Sequence, residues 1–252
     1  SSHLNLDTRQ ISEKWRKAYT NPKIALIGVG KFGKNHLRVL KELERERLCT
    51  LYGVVDKRVE VLEDVRKKYD VRTTSDLSKI LKDDVDAVDV VTPTDTHFKI
   101  CKEFLESGKH VFVEKPLATN YAEASQLVEV ATQRKKILMV GHLFRYNPAV
   151  KKIKELIKKG ELGKIYYMFG HYMGFKEPRT DVGTLLNFAV HFIDIYDYLL
   201  EEIPEEVTCS IGHFLGRENF EDLAVLFLRY GKGAVGIIEG SWLPPGNYRD
   251  LT

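Results

Sequence analysis

The stretch at residues 23–34, Lys-Ile-Ala-Leu-Ile-Gly-Val-Gly-Lys-Phe-Gly-Lys, joins a short apolar run to a glycine-rich turn. The apolar run at 24–27 is typical of a parallel strand that is buried on both faces. Glycines at 28, 30 and 33 follow in the spacing G-x-G-x-x-G, and leucines at 37, 40 and 43 continue at helical spacing. This order of strand, turn and helix predicts a dinucleotide-binding turn.

Each glycine of this turn has its own predicted task. Gly28 makes the tight turn, Gly30 lets the backbone approach a pyrophosphate, and Gly33 lets the helix pack close to the strand. The following helix offers free N–H groups and a partial positive charge to the phosphates.

A second predicted strand, at 49–56, ends in an acidic residue near the expected distance from the glycines. The Asp56 carboxylate would accept hydrogen bonds from a ribose diol and repel a 2′-phosphate, so NAD is the expected cofactor. Lys57 and Arg58 follow directly and could restore part of NADP binding, so NADP stays open. The alternative is an ordinary strand–helix turn in which Asp56 only caps a helix.

The composition is that of an ordinary soluble protein, and the sequence predicts no metal site. The 252 residues carry a net charge of +3, and no basic run is interleaved with aromatic residues, so we expect neither nucleic acid nor a membrane as partner. Three cysteines form neither a disulfide framework nor a zinc pattern and suit the cytoplasm.

Strand and helix patterns alternate from residue 23, which predicts a parallel sheet. Residues 1–22 are predicted to form an N-terminal extension with an amphipathic helix at 4–22. Residues 23–143 are predicted to form a Rossmann dinucleotide-binding domain, and residues 144–252 a second domain. Predicted strands of the Rossmann domain lie at 23–28, 50–56, 71–74, 86–92, 110–114 and 136–142, and predicted helices at 31–47, 58–69, 76–82, 95–107 and 120–134.

The carboxyl ends of these strands are where an open α/β sheet binds its ligand. His97 follows one of them, and it either lines the cofactor groove or forms local hydrogen bonds. The residues predicted to bind the cofactor are Gly28, Gly30, Lys31, Phe32, Gly33, Asp56, Lys57, Thr92, Pro93, Thr94, His97, Glu114 and Lys115.

Past residue 144 the pattern changes to an α+β domain with an open, mostly antiparallel sheet. A helix begins at Asn147 and Pro148, β-rich segments lie at 164–173, 206–215, 221–230 and 233–242, and Tyr230–Gly233 predicts a hairpin. The helix at 182–200 is apolar on nearly all sides and should be buried.

One stripe of that buried helix is polar: Asn187, His191, Asp194 and Tyr198 step by four, three and four residues. Buried polar groups need partners, because an unpaired one costs roughly 1–3 kcal/mol. The partners are either other side chains, in a structural hydrogen-bond network, or a polar ligand.

These motifs resemble the glucose–fructose oxidoreductase / inositol dehydrogenase / rhizopine-catabolism family of NAD(P)-dependent oxidoreductases. The resemblance implies a Rossmann domain followed by a domain whose sheet holds the substrate on one face and forms oligomers with the other. The matching stretches are Gly28–His36 (Gly-Val-Gly-Lys-Phe-Gly-Lys-Asn-His), Thr92–His97 (Thr-Pro-Thr-Asp-Thr-His), Glu114-Lys-Pro116, Arg145-Tyr-Asn-Pro148 and Gly183–His191 (Gly-Thr-Leu-Leu-Asn-Phe-Ala-Val-His).

The resemblance also implies roles at the site. Lys115 would lie near nicotinamide and substrate, and His191 would be the acid/base residue. The family usually has an aspartate where this chain has Asn187, which cannot take a proton at neutral pH. The proton-abstracting role would then fall to His191 with Lys115, and Asn187 would orient the substrate hydroxyls or the imidazole. Arg145 and Tyr146 join these three as substrate-binding candidates, and Arg145, Lys176 and Arg179 could contact a diphosphate.

The expected reaction is hydride transfer between nicotinamide and a secondary alcohol of a sugar, nucleotide sugar or cyclitol, in a homodimer or homotetramer. The stretches 181–186 and 239–245 are similar to a branch that includes UDP-N-acetylglucosamine 3-dehydrogenases. The alternatives are a non-catalytic NAD(P)-binding sensor or scaffold, and a dehydrogenase of a non-sugar substrate. Residues 247–252 read as the start of a strand, so we expect the sheet to continue past the last residue.

Overall fold

A computed structural model describes residues 21–175, 177, 179–216 and 219–252 of the chain. Nearly all of the helix predicted at 4–22 lies outside these residues. The chain divides into two compact units between Val140 and Gly141.

The first unit is a six-stranded parallel sheet with helices between its strands. The strands are ordered β3-β2-β1-β4-β5-β6, the order of a doubly wound dinucleotide-binding fold, which confirms the predicted fold class. The strands are β1 (Lys23–Ile27), β2 (Thr50–Val55), β3 (Thr73–Thr74), β4 (Ala87–Val90), β5 (His110–Val113) and β6 (Leu138–Val140). The helices are α1 (Gly33–Arg45), α2 (Val59–Tyr69), α3 (Leu77–Lys82), α4 (His97–Glu106) and α5 (Tyr121–Arg134).

Strand β1 is covered on both faces, as its apolar run indicates. Ala25 and Ile27 belong to one core cluster and Leu26 to another, on the opposite face of the sheet. Each cluster is closed by helices, with Phe104 of α4 in the first and Leu37 of α1 in the second. The central strand is therefore rigid where the glycine turn begins.

The second unit packs two helices against a five-stranded sheet. The sheet order is β11-β7-β10-β9-β8, and every pairing is antiparallel except that of β7 with β10. The predicted hairpin joins β9 to β10, and residues 247–251 form a strand. The elements are α6 (Pro148–Lys158), β7 (Tyr167–Gly174), α7 (Val190–Leu200), β8 (Pro204–Gly212), β9 (Leu223–Tyr230), β10 (Val235–Ser241) and β11 (Asn247–Leu251).

The helix predicted at 182–200 differs from a regular α-helix at its start. Residues Leu185–Ala189 form a wider π-helical turn, and α7 begins only at Val190. The Phe188 ring lies within this turn and stacks on Tyr172 of β7, with centroids 4.2 Å apart. Isolated π turns are rare and often mark functional sites.

No helix among the described residues is long and apolar enough to cross a membrane.

Candidate functional site

The glycine turn has the geometry that its sequence predicts. Gly28 has a φ of +92°, and a Cβ there would lie 2.5 Å from the Val91 carbonyl oxygen, so no other residue fits. A Cβ at Gly33 would lie 2.2 Å from the Gly28 carbonyl oxygen. At Gly30, the described part of the chain brings one atom within 4 Å of a Cβ, a guanidinium nitrogen of Arg58 at 3.7 Å. The backbone of Gly30 is therefore open to a ligand, as a dinucleotide pyrophosphate requires.

The Asp56 carboxylate lies at the end of β2 and is tied to this turn. One oxygen, Oδ2, accepts hydrogen bonds from the Val29 N–H at 2.9 Å and from Nη2 of Arg58 at 2.9 Å. The other, Oδ1, accepts from Nε of Arg58 at 2.9 Å and from its backbone N–H at 3.0 Å. Burial alone would raise the pKa of Asp56, but these hydrogen bonds outweigh it and lower the pKa to about 2.

His97 takes the local role that its sequence left open. The side chain is only 1% exposed, with one ring nitrogen 2.9 Å from the Pro116 carbonyl oxygen and the other 3.0 Å from that of Thr92. The His97 side chain therefore links the loop after β4 to the loop after β5. Thr94 is likewise buried, whereas Pro93 is exposed.

Glu114, predicted to bind the cofactor, faces a histidine of the helix that follows the glycine turn. Its Oε1 lies 3.3 Å from Nε2 of His36, and its Oε2 accepts from the Lys115 N–H at 3.3 Å. The other ring nitrogen of His36, Nδ1, lies 2.9 Å from Oδ2 of Asp89.

Neither His36 nor Asp89 had a predicted role at the site. The sequence signal that could have pointed to this pair is Asp89 itself, an acid within the apolar strand Ala87–Val90, where it is unfavourable without a partner.

In the second unit, His191 is held between aromatic rings. It lies in the first turn of α7, edge-on to Phe144 at a centroid distance of 4.9 Å and nearly parallel to Tyr172 at 5.7 Å. The imidazole is buried, and Asn187 in the preceding π turn is partly buried. The rings fix the plane of the imidazole, which a proton-transfer residue needs.

Two other members of the polar stripe have protein partners. The Asp194 carboxylate accepts hydrogen bonds from Arg145, from Nε to both oxygens at 2.9 Å and from Nη2 to Oδ1 at 2.6 Å. The guanidinium also lies over the Tyr198 ring, 5.4 Å from its centroid. This part of the stripe is a structural network, and it holds the side chain predicted to bind substrate.

The remaining predicted residues lie mostly at the surface. Lys31, Phe32, Lys57 and Tyr146 are exposed, and Lys115 is partly buried. Nε of Arg179 donates to Asp181 at 2.8 Å, and Lys176 lies outside the described residues. Within the described ranges, no three His, Cys, Asp or Glu side chains cluster as metal ligands would.

Two family models match most of the chain. Residues 22–142 match an oxidoreductase family with an NAD-binding Rossmann fold, and residues 150–252 match the GFO/IDH/MocA C-terminal domain.

Curated relatives differ in their substrates. The myo-inositol 2-dehydrogenase of Thermotoga maritima is 30% identical over 87% of this chain and 68% of that protein. The 4-carboxy-2-hydroxymuconate-6-semialdehyde dehydrogenase of a Sphingobium species is 34% identical over 73% of this chain and 60% of that protein. The UDP-N-acetylglucosamine 3-dehydrogenase of Acidithiobacillus ferrooxidans is 27% identical over 87% and 66%. The chain thus spans about two thirds of the length of these relatives, or slightly less.

Solved structures show the same fold with the cofactor bound. GenD2 from gentamicin A biosynthesis, in complex with NAD, is 27% identical with a TM-score of 0.84, over 92% of this chain and 69% of that one. Levoglucosan dehydrogenase, in complex with NADH and levoglucosan, is 25% identical with a TM-score of 0.84, over 92% and 70%. The chain therefore belongs to the GFO/IDH/MocA oxidoreductase family, and its first unit is that family's NAD-binding Rossmann fold.

Proposed function

We propose that this protein is an NAD-dependent dehydrogenase that acts on a secondary alcohol of a sugar or cyclitol. The observation that carries the proposal is the glycine turn: the backbone of Gly30 is open, and Asp56 stands at the end of the neighbouring strand. Relatives that act on myo-inositol, UDP-N-acetylglucosamine and levoglucosan support the substrate class.

The residues of the first unit fit the cofactor. Gly28, Gly30 and the first turn of α1 would receive the pyrophosphate, and Asp56 the adenosine ribose. When bound, nicotinamide supplies the acceptor for the hydride that leaves the alcohol carbon.

The protein moves the proton. In the direction of oxidation, His191 takes the hydroxyl proton while the carbon loses a hydride, so the alcohol becomes a ketone and one proton is released. Imidazole suits this role because it titrates near neutrality when unperturbed. The role proposed for Lys115, in the first unit, is to stabilise negative charge that develops on a substrate oxygen. Asn187 has no proton-accepting group at neutral pH and would orient the substrate.

The test is formation of NADH, followed by absorbance, with a panel of cyclitols, neutral sugars and UDP-sugars. We expect turnover with at least one class, and a loss of about 100-fold or more in kcat for both Lys115→Ala and His191→Ala, with NAD affinity retained. NAD binding without turnover of any panel member would favour the sensor or scaffold instead. Wild-type turnover in both variants would remove the assigned roles.

We also propose that the protein is a homodimer or homotetramer assembled through the second sheet. Phe169, Ile237 and Phe227 stand in one row across β7, β10 and β9. Their face lies opposite the core cluster that contains Ile238 and α7, and Phe227 is 51% exposed. A row of large apolar side chains on an open sheet favours a self-complementary contact with a second copy.

Light scattering after size exclusion tests this assembly. We expect an oligomer that Phe227→Asp dissociates, while Tyr121→Asp, at an exposed aromatic residue of α5, leaves the mass unchanged. A wild-type monomer would contradict the proposal.

We also propose a cytoplasmic location, because Cys209 is an exposed free thiol and the cytoplasm keeps thiols reduced.

A further inference from the structure

Three ionisable side chains from three different elements meet in the first unit. His36 belongs to α1, Asp89 to the middle of β4, and Glu114 follows β5. The His36 Nδ1 lies 2.9 Å from Oδ2 of Asp89, and its Nε2 lies 3.3 Å from Oε1 of Glu114. The Phe112 ring stacks on the imidazole at a centroid distance of 5.9 Å, and the His36 side chain is 12% exposed.

This geometry requires a doubly protonated imidazole. A neutral imidazole donates from one nitrogen only, whereas both nitrogens of His36 face carboxylates. Burial lowers the pKa of His36, but the hydrogen bonds to Asp89 and Glu114 outweigh that effect and raise it to about 9. The cluster therefore places a protonated imidazole between two carboxyl groups.

Such a cluster contributes little net free energy to the stability of the fold. Each buried charge loses its hydration, and apolar side chains of similar size often give equal or greater stability. The position of the cluster suggests another use. Oε2 of Glu114 accepts from the backbone N–H of Lys115, and the ring of Phe32, in the glycine turn, meets the imidazole at 5.3 Å. His36 therefore touches both the turn that would hold pyrophosphate and the carboxylate that holds Lys115.

We infer that His36 is a positioning residue for Lys115. It fixes the Glu114 carboxylate, which fixes the backbone from which the Lys115 side chain starts, and it links that backbone to the glycine turn. Asp89 supplies the second anchor that holds the imidazole in its plane. The inference rests on the proposed function for the catalytic importance of Lys115, but the link between His36 and Lys115 is a property of the first unit and is testable without a substrate.

The experiment follows Lys115 directly. The full chain is reductively methylated with ¹³C-formaldehyde, and the dimethyl-lysine resonance of Lys115 is assigned by its absence in Lys115→Arg. His36→Gln keeps a hydrogen-bonding side chain and removes the positive charge, and Glu114→Gln keeps the shape of Glu114 and removes its negative charge. The matched control is His110→Gln, because Nδ1 of His110 accepts from the Ile137 N–H at 2.9 Å at the start of β5, away from Lys115.

We expect both test variants to move the Lys115 resonance and the control to leave it in place. With a substrate from the panel, we expect kcat to fall about 10-fold or more in His36→Gln while the Kd for NAD changes by less than about 3-fold. If His36→Gln does not fold, Glu114→Gln carries the same test.

An unmoved Lys115 resonance in the folded test variants overturns the inference, whatever their turnover. A moved resonance with wild-type kcat also overturns it, because Lys115 would then not need its position. A wild-type protein that turns over no substrate contradicts the proposed function alone and leaves the resonance to decide the link.

Discussion

Arg58 supplies three of the four hydrogen bonds that the structure shows at the Asp56 carboxylate. Its backbone N–H, Nε and Nη2 all donate to that carboxylate, and the Val29 N–H donates as well, at distances of 2.9 to 3.0 Å. A carboxylate has about four lone-pair sites, so all of them are in use. Because the Arg58 side chain is 52% exposed, moving it aside to admit a ribose diol would cost little.

Replacement of Arg58 by glutamine should therefore separate the two cofactors. Affinity for NAD should stay the same or rise, since two acceptor sites of Asp56 become free for the ribose. Affinity for NADP should fall about 10-fold or more, because a charge-assisted contact with the 2′-phosphate is lost. Titration calorimetry with both oxidised cofactors measures the change.

Arg66→Gln is the control for removing a positive charge nearby, since Nη2 of Arg66 donates to Thr73 Oγ1 at 2.7 Å and not to Asp56. Equal losses for NAD and NADP in Arg58→Gln would show that Arg58 does not discriminate between them.

Two alanine substitutions in the glycine turn should affect different properties, one the stability of the fold and the other the affinity for NAD. Gly33→Ala places a Cβ 2.2 Å from a backbone oxygen, so the helix must shift and the free energy of unfolding should drop by about 1–3 kcal/mol. Among the described residues, Gly30→Ala meets a flexible guanidinium at 3.7 Å, so stability should hold. NAD affinity should fall, because the methyl group would stand where the pyrophosphate is proposed to bind. Urea denaturation and calorimetry test both variants, and a Gly30→Ala protein with wild-type affinity would place the pyrophosphate elsewhere.

The His36 cluster predicts how stability depends on pH. The folded pKa of about 9 lies above the ordinary value near 6.5, so the stabilisation is complete below about pH 6.5 and is lost as pH rises through about 9. The shift corresponds to about 3 kcal/mol at most, and the raised pKa of buried Asp89 offsets part of it.

Urea denaturation across this range should show a decline that His36→Gln removes. His110→Gln should keep the decline, because burial lowers the pKa of His110 and places its titration at lower pH. An equal decline in all three proteins would assign the pH dependence to other groups.

The alternation of strands and helices and the glycine turn could be read from the sequence because local signals encode them. Apolar runs mark buried strands, and glycine spacing marks a turn that only glycine can form. The partner of a buried charge is not encoded locally. Asp89 was visible as an acid in an apolar strand, but its partner His36 lies 53 residues earlier in the sequence, and only the sheet order brings them together.

The second unit shows the same limit. The β-rich segments of the sequence predicted its strands but could not show that β7 pairs parallel with β10. The stripe on the helix predicted that Asp194 needs a partner without naming it. Arg145 was interpreted as a substrate ligand because of the motif it belongs to, and the structure shows that it binds Asp194.

That pair allows a last prediction, which separates a structural role of Arg145 from substrate binding. Arg145→Leu removes the guanidinium hydrogen bonds of the buried Asp194 carboxylate, which keeps His142 Nδ1 at 3.6 Å from its Oδ1. The free energy of unfolding should fall by about 1–3 kcal/mol, less than for a wholly buried pair because the arginine is half-exposed. Arg145→Leu combined with Asp194→Leu should recover part of that loss, since no charge is then left unpaired. If Arg145 only supports α7, the double variant should also regain the KM of the wild type. A KM that stays raised after stability returns would instead establish that Arg145 contacts the substrate.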